Sequence, residues 1–348
     1  MPQIFSFGSN GSGQLGIGHV EDVSEPKKVV LPTEAEKYAV IKVAAGGNHT
    51  IILLSNGHAY ASGENGDGRC GFVGDISSST RMIRVGCKDG ENLRAGSIRL
   101  CCATWQATIL IFEDGNVFSC GTGNKGELGL GDSRTEAKGL QLLENFPPGN
   151  TKVEDISSCM SHVVAILSDG TVFGWGNGRK GQLGLPACNK WVPSIIDDIP
   201  FKAQKAVCGR DFTLILGDPA EGSYTFLGLD KYDIQNSLPA QLPYWKKVVA
   251  GWSSIHMLLK DGYILSFGRN DHNQLVPKQS EQFVDLAAGS EHFLGNTVDG
   301  TLLARGWGEH GNCGNHQDKI DRGWAYIPFF AAISYLAAGC ATSWITVN

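Results

Sequence analysis

The chain repeats one glycine-rich phrase, and that repetition limits its fold more than any other feature. Phe7-Gly8-Ser9-Asn10-Gly11-Ser12-Gly13-Gln14-Leu15-Gly16 returns as Cys120-Gly121-Thr122-Gly123-Asn124-Lys125-Gly126-Glu127-Leu128-Gly129 and as Trp175-Gly176-Asn177-Gly178-Arg179-Lys180-Gly181-Gln182-Leu183-Gly184. A unit copied at intervals of about 40–60 residues cannot bury its apolar face alone, so each copy packs on the next in a modular array. Glycine supplies 46 of 348 residues without a triplet period, which signals many tight turns and close backbone approaches.

Each unit also contains a strand pair. In the clearest copy Ala44-Ala45-Gly46-Gly47-Asn48-His49-Thr50-Ile51-Ile52-Leu53-Leu54 precedes Ser55-Asn56-Gly57 and then His58-Ala59-Tyr60-Ala61-Ser62-Gly63. Asn-Gly or Asp-Gly between apolar runs predicts a hairpin of type I′, with positive φ at both central residues. The signal recurs at Asp114-Gly115, Asp169-Gly170, Asp261-Gly262 and Asp299-Gly300. Seven glycines end the hairpins, Gly8, Gly63, Gly121, Gly176, Gly228, Gly268 and Gly306, and the spacing shortens in the later copies. The copy at Phe226-Leu227-Gly228-Leu229-Asp230 has lost the Asn-x-x-Gly-Gln-Leu-Gly tail.

The two ends are complementary halves of a unit. Gln3-Ile4-Phe5-Ser6-Phe7-Gly8 opens partway through one, and Ser343-Trp344-Ile345-Thr346-Val347 stops partway through another. Pairing them removes two sheet edges at once, whereas an open solenoid would need polar caps. The sequence therefore predicts an all-β fold: a seven-bladed β-propeller, one domain over residues 1–348, closed by pairing the N-terminal strand with the C-terminal hairpin.

A hydrophobic content of 42% supplies a core, and 18% charge argues against long disorder. The net charge of −6 disfavours nucleic acid as the main partner and leaves room for a neutral or basic protein. The ten cysteines (70, 87, 101, 102, 120, 159, 188, 208, 313 and 340) form no C-x-x-C pair, so buried, reduced thiols are expected. Met1-Pro2-Gln3 leads straight into a strand and no apolar window approaches a membrane span, so a soluble intracellular protein is expected. The glycine strings lack the strand–turn–helix context and the Gly-Lys-Ser/Thr of phosphate loops, and are read as turns.

Three histidines, His49, His162 and His292, stand eight residues before a turn glycine in separate copies. That position predicts a hydrogen bond to a neighbouring blade; because equivalent loops open on one face, a lining role at a binding surface is the alternative. Residues in separated blades are too far apart to share a zinc ion. Trp307-Gly308-Glu309-His310-Gly311-Asn312-Cys313-Gly314 departs from the repeat and gives up the leucine that Leu15 and Leu183 supply elsewhere. Such departures are where function concentrates, and Trp and His on a rigid loop suit an interface. Cys313 has no base at a spacing that would make a triad. In Trp252-Ser253-Ser254-Ile255-His256, Ser254 takes the usual histidine position. Trp105 and Trp344 lie in or beside the same class of loop, and tryptophans there are expected to gather on one face. No catalytic residues, metal ligands or cofactor site are expected.

The unit G-x-x-H, D/N-G, W/F-G-x-N-x-x-G-Q-L-G resembles the repeat of the regulator of chromosome condensation superfamily over essentially the whole chain. Several non-repeat stretches are similar to its fungal α-tubulin-suppressor, or killer-toxin-insensitivity, branch. They include Gly18-His19-Val20-Glu21-Asp22, residues 252–256, Gly289-Ser290-Glu291-His292, residues 306–314 and Gly339-Cys340-Ala341-Thr342-Ser343-Trp344. The resemblance implies a non-enzymatic partner of a small zinc-ribbon electron-carrier protein that serves diphthamide synthesis and the Elongator complex, with possible contact to Elongator itself. It implies support of wobble-uridine modification of transfer RNA, in cytoplasm and nucleus. The residues expected to bind the partner are Trp252, His256, His292, Trp307, Glu309, His310 and Trp344. The alternative, guanine-nucleotide exchange on a small GTPase, calls for a protruding wedge, and the insertion at Pro147-Pro148-Gly149-Asn150 is short.

Overall fold

Each copy of the repeat folds into an antiparallel sheet with its first strand innermost, and seven such sheets surround a central channel. The structure, a computed structural model, describes residues 2–347 other than 73, 87, 90, 91, 94–96, 279, 280, 316–318, 321 and 322. Blade 1 comprises Val40–Ala45, His49–Leu54, Ala59–Glu64 and Ser78–Arg84. Blade 2 comprises Ile98–Ala103, Ala107–Phe112, Val117–Thr122 and Glu136–Leu142, and blade 3 Val153–Cys159, His162–Leu167, Val172–Gly176 and Lys190–Ile195.

Blades 4 and 5 have three strands each among the described residues: Lys205–Cys208, Phe212–Leu216 and Tyr224–Gly228, then Trp245–Ala250, Ser254–Leu259 and Ile264–Gly268. In place of a fourth strand, residues 229–244 of blade 4, including the short helix Ile234–Ser237, pack Ile234, Leu238 and Leu242 against Tyr224 and Phe226. The missing motif tail thus becomes a cover over an otherwise open edge. Blade 6 (Phe283–Ala288, His292–Thr297, Leu302–Gly306, Trp324–Ile327) carries Lys319–Ile320 as a fifth strand.

Blade 7 joins the chain ends. Ile333–Ala338 and Thr342–Val347 come from the C-terminal side, Gln3–Gly8 and Val23–Lys28 from the N-terminal side. The closing register runs without a slip from Gln3↔Val347 to Gly8↔Thr342.

The second strands HTIILL, ATILIF and HVVAIL are buried at every position. An alternating pattern would leave one face in water; a continuous apolar run is what a strand covered on both faces requires. The cores lie between blades, as where Ile51 and Leu53 of blade 1 meet Cys101, Leu110 and Phe118 of blade 2. Among the described cysteines, Cys70, Cys101, Cys102, Cys120, Cys208 and Cys313 are buried and Cys159 and Cys340 half-buried, all as free thiols. Cys188 departs from the expectation and is exposed; Cys87 lies outside the described residues.

The hairpin turns differ from the expected type I′. Only their glycines have positive φ; Asn56, Asp114, Asp169, Asp261 and Asp299 do not. Gly57 N–H donates to Leu54 O and Leu54 N–H to His58 O, both at 2.9 Å, and the other four turns repeat this pair of bonds. The acidic or amide side chain accepts from the backbone N–H two residues on, as Asn116 N to Asp114 Oδ1 at 3.0 Å. These are three-residue loops with a bulge glycine, in which Asp serves as an acceptor.

The seven hairpin-ending glycines all have φ between +99 and +114. A Cβ there would run into the carbonyl oxygen just before the second strand, Asn48 O for Gly63 and Ser161 O for Gly176. Gly115, also at positive φ, has nothing within 4 Å of such a Cβ. We therefore expect Gly115→Ala to cost about 1 kcal/mol in urea unfolding, from φ strain alone, and Gly63→Ala about 3 kcal/mol or more, from strain plus clash. Equal costs would show that the clash is relieved by local shifts.

Candidate functional site

The loops joining strands one and two, and those following the third-strand glycines, open on the same end of the propeller. Backbone bonds tie the first set into an arc around the channel mouth. Gly47 N donates to Trp105 O, Trp105 N to Met160 O, Arg210 N to Trp252 O, Trp252 N to Ser290 O and Ser290 N to Gly339 O. The repeated motif rigidifies the second set. Its asparagine accepts from the leucine-position N–H (Leu15 to Asn10 Oδ1, 3.0 Å; Leu275 to Asn270 Oδ1, 2.9 Å). Its Gln or Glu accepts from the N–H two residues earlier (Lys180 to Gln182 Oε1, 2.9 Å; Lys125 to Glu127 Oε2, 2.7 Å).

The buried histidines hold the blades together. His49 Nε2 lies 3.0 Å from Thr108 Oγ1, His162 Nε2 3.0 Å from Thr213 Oγ1, and His292 Nε2 3.0 Å from Ser343 Oγ, in each case on the next blade. Each hydroxyl gives its single proton to a motif carbonyl: Thr108 to Arg69 O at 2.6 Å, Thr213 to Gln182 O at 2.8 Å, Ser343 to Asn312 O at 2.8 Å. The hydroxyl must then accept from the imidazole, which fixes the Nε2–H tautomer. Burial pushes the imidazole pKa down to about 3 for His49 and about 4 for His162 and His292. The expected structural bond is present in all three copies.

Of the residues expected to bind a partner, three therefore do internal work. His292 is part of the relay just described. His256 is fully buried, between Ser254 Oγ at 3.1 Å and Ser266 Oγ at 2.8 Å, against the Phe293 ring. Trp344 is fully buried within its strand, and its Nε1–H donates to Thr342 Oγ1 at 3.2 Å. None of these side chains offers surface to another protein. Each lies on a strand covered by neighbouring blades, a burial that a loop-like local sequence conceals.

Trp252, Trp307, Glu309 and His310 remain on the face. Trp252 is half-buried, with the Trp105 ring centroid 5.9 Å away and the Arg210 guanidinium over it at 5.9 Å. Trp307 is 46% exposed and stacks on His272, centroids 5.1 Å apart and 24° between planes. Its Nε1–H donates to Glu309 Oε2 at 3.1 Å. His310 Nδ1 donates to Asp22 Oδ2 at 2.9 Å, while Asp22 Oδ1 accepts from Asn10 N at 2.6 Å, so the last motif loop is tied to the first.

The repeat comparison did not single out His272 or Asp22. His272 sits in Arg269-Asn270-Asp271-His272-Asn273-Gln274-Leu275, a copy in which Asn273 at φ +59 replaces the motif glycine; aligning that copy would have exposed it. Arg269 steadies the loop, donating to Asp271 Oδ2 at 2.9 Å and to Glu291 Oε1 at 3.0 Å, and Gln274 adds a bond to Glu291 Oε2 at 2.9 Å. The hydrogen bond from Arg269 holds the Asp271 carboxyl below its usual range. Cys313 fills the place of the lost leucine: it is buried with Phe7, Ala304 and Ile327, as Cys70 is in its own blade. Gly311 N to Gly308 O and Gly314 N to Gly311 O, both 2.9 Å, keep the motif turn intact. Glu309 and Asp22 bond to Trp307 and His310, and Asp271 and Glu291 pair with Arg269 on the neighbouring loop. Among the described residues no group of three or more His, Cys, Asp or Glu side chains is placed to hold a metal ion, and no helix is long and apolar enough to cross a membrane.

The RCC1-like domain profile matches residues 3–344. An RCC1 repeat-containing protein of Schizosaccharomyces pombe is 32% identical over 99% of both chains. The mouse secretion-regulating guanine nucleotide exchange factor is 27% identical over 90% of this chain and 75% of its own length. In three dimensions Prp20p of Saccharomyces cerevisiae superposes with a TM-score of 0.82 at 19% identity, covering 99% of this chain and 91% of that one.

The relay histidines and His256 make stability depend on pH. The unfolded chain protonates them near pH 6.5, while the folded chain leaves them neutral down to about 4 for His162 and His292 and about 3 for His49 and His256. Their contribution is complete above 6.5 and falls with acidification. Each contributes a slope of about 1.4 kcal/mol per pH unit. Replacing His292 with Gln should remove about that much slope from urea unfolding between pH 6 and 4.5; an unchanged slope would mean that His292 is protonated in the fold.

Proposed function

The chain belongs to the RCC1-like propeller family, and we propose that it acts as a non-catalytic binding propeller. Its proposed partner is a small zinc-ribbon electron-carrier protein, bound as a heterodimer in support of Elongator-dependent transfer-RNA modification and diphthamide synthesis, in cytoplasm and nucleus. The observation that carries this reading is the exposed Trp307–His272 stack, held on a loop whose turns, Glu309 bond and His310–Asp22 bond are all fixed. An aromatic anchor that loses little freedom on binding suits an interface centre. Resemblance of the stretches at 252–256 and 306–314 to the killer-toxin-insensitivity branch supports the choice of partner. The acidic groups around the stack favour a partner surface that is neutral or basic.

A second reading is guanine-nucleotide exchange on a small GTPase. The name of the mouse relative favours it. Nucleotide release from a panel of small GTPases separates the two, since acceleration by the purified chain would establish exchange.

For the leading reading, co-purification at moderate salt should recover a one-to-one complex. Trp307→Ala with His310→Ala should weaken it at least about ten-fold while the propeller remains folded. Unaltered affinity would remove this loop from the interface, and failure to recover any complex would remove the partner.

A further inference from the structure

Arg305 sits on the third strand of blade 6 with only 4% of its surface exposed. A guanidinium keeps its charge at neutral pH and carries five N–H donors, so burying one without an acid is costly. The chain shows the ordinary solution at Arg69, which is 7% exposed: Nε and Nη2 grip both oxygens of Asp67 at 2.8 and 3.0 Å. Arg305 lacks that arrangement. Nε donates to Asn273 O at 2.5 Å, and the guanidinium lies 4.6 Å from the centre of the Trp324 ring. Nη1 is buried with no hydrogen-bond partner, and among the described residues no carboxylate forms an ion pair with Arg305. Burial draws its pKa down to about 10, with the charge of Glu281 acting the other way, so it remains a cation at pH 7.

A cavity of about 190 Å³ adjoins it, room for several waters or one small ion, lined by Arg305 with His272, Asn273, Cys313, Asn315 and Gly323. A Cβ at Gly323 would stand 3.8 Å from Arg305 Nη2, so the glycine keeps that side open. His272 belongs both to this wall and to the stack under Trp307, which places the cavity directly beside the exposed aromatic pair.

We propose that this cavity binds one small oxyanion, a phosphate or a carboxylate, with the Arg305 guanidinium as its charged anchor and His272, Asn273 and Asn315 as its polar wall. An oxyanion offers acceptors that match a planar fork of donors, and a directly paired charge that no described residue gives Arg305. Binding of such an ion requires no protein partner.

The test is thermal unfolding of the full chain titrated with inorganic phosphate and, separately, with acetate, at ionic strength held constant with chloride. Saturable rises of about 2–4 °C are expected. A rise with phosphate alone identifies a tetrahedral ion, and a rise with acetate as well identifies a site open to carboxylates. Arg305→Met should abolish the rise. If that variant does not fold, the wild-type Arg305 Nε–H resonance, observed with labelled arginine, should shift saturably over the same phosphate range. A flat response to both ions means that Arg305 is satisfied within the chain and overturns the proposal. A rise that survives in Arg305→Met, or an Nε–H resonance that stays fixed, overturns it equally.

Discussion

Six residue pairs between Gln3–Gly8 and Thr342–Val347 hold the ring shut, and every other interface relies on that seam. Each blade buries its apolar second strand against neighbours on both sides, so the larger cores lie between blades. Were the seam open, Trp344 and Phe7, both fully buried, would face water together with the flanks of blades 1 and 6. Side chains reinforce the closure. Ser343 accepts from His292 of blade 6 and donates to Asn312, and His310 reaches Asp22 from the other end of the sequence. The fold is therefore stabilised by contacts between residues far apart in the chain, and its motif loops inherit a rigid base.

That base explains how one face can vary without loss of architecture. The motif turn is specified by backbone bonds and by its Asn and Gln or Glu acceptors, which leave the residues between them free. In residues 306–314 the turn survives on its backbone bonds, with Gly308 and Asn312 in the Asn and Gln positions, Trp307, Glu309 and His310 beside them and a thiol in place of leucine. In residues 268–276 it survives with Asn273 at positive φ in place of glycine. The two altered loops are neighbours in space, and their variable residues meet as the Trp307–His272 stack. The proposed interface and the proposed anion cavity thus share one imidazole while drawing on different chemistry: exposed aromatic area in one, a buried guanidinium in the other.

Buried histidine plays two unlike roles at two neighbouring register positions. In blades 1, 3 and 6 it bridges to the next blade as a neutral donor. In blade 5, where Ser254 occupies the position, His256 moves two residues along and is held between two serine hydroxyls. The substitution looked like a surface departure because the repeat marks identity and register but not depth. His292 makes the expected bond to the next blade but, like Trp344, offers no surface to a partner: the glycine-flanked loop ends just before it, and the residue already belongs to a strand covered on both faces.

The repeat by itself determined the architecture, the number of blades and the means of closure, because glycines that must adopt positive φ recur wherever a third strand ends. It also marked Trp252, Trp307, Glu309 and His310 as departures, since a rule obeyed elsewhere makes exceptions visible. Tertiary structure alone decided which departures reach the surface, that Asp-Gly turns use the acid as an acceptor, and that blades 4 and 5 have three strands each among the described residues. It also brought His272 under Trp307 and left Arg305 buried with no ion pair among the described residues. These outcomes depend on which residues of different blades become neighbours, and a one-dimensional pattern with a local period carries no term for that distance.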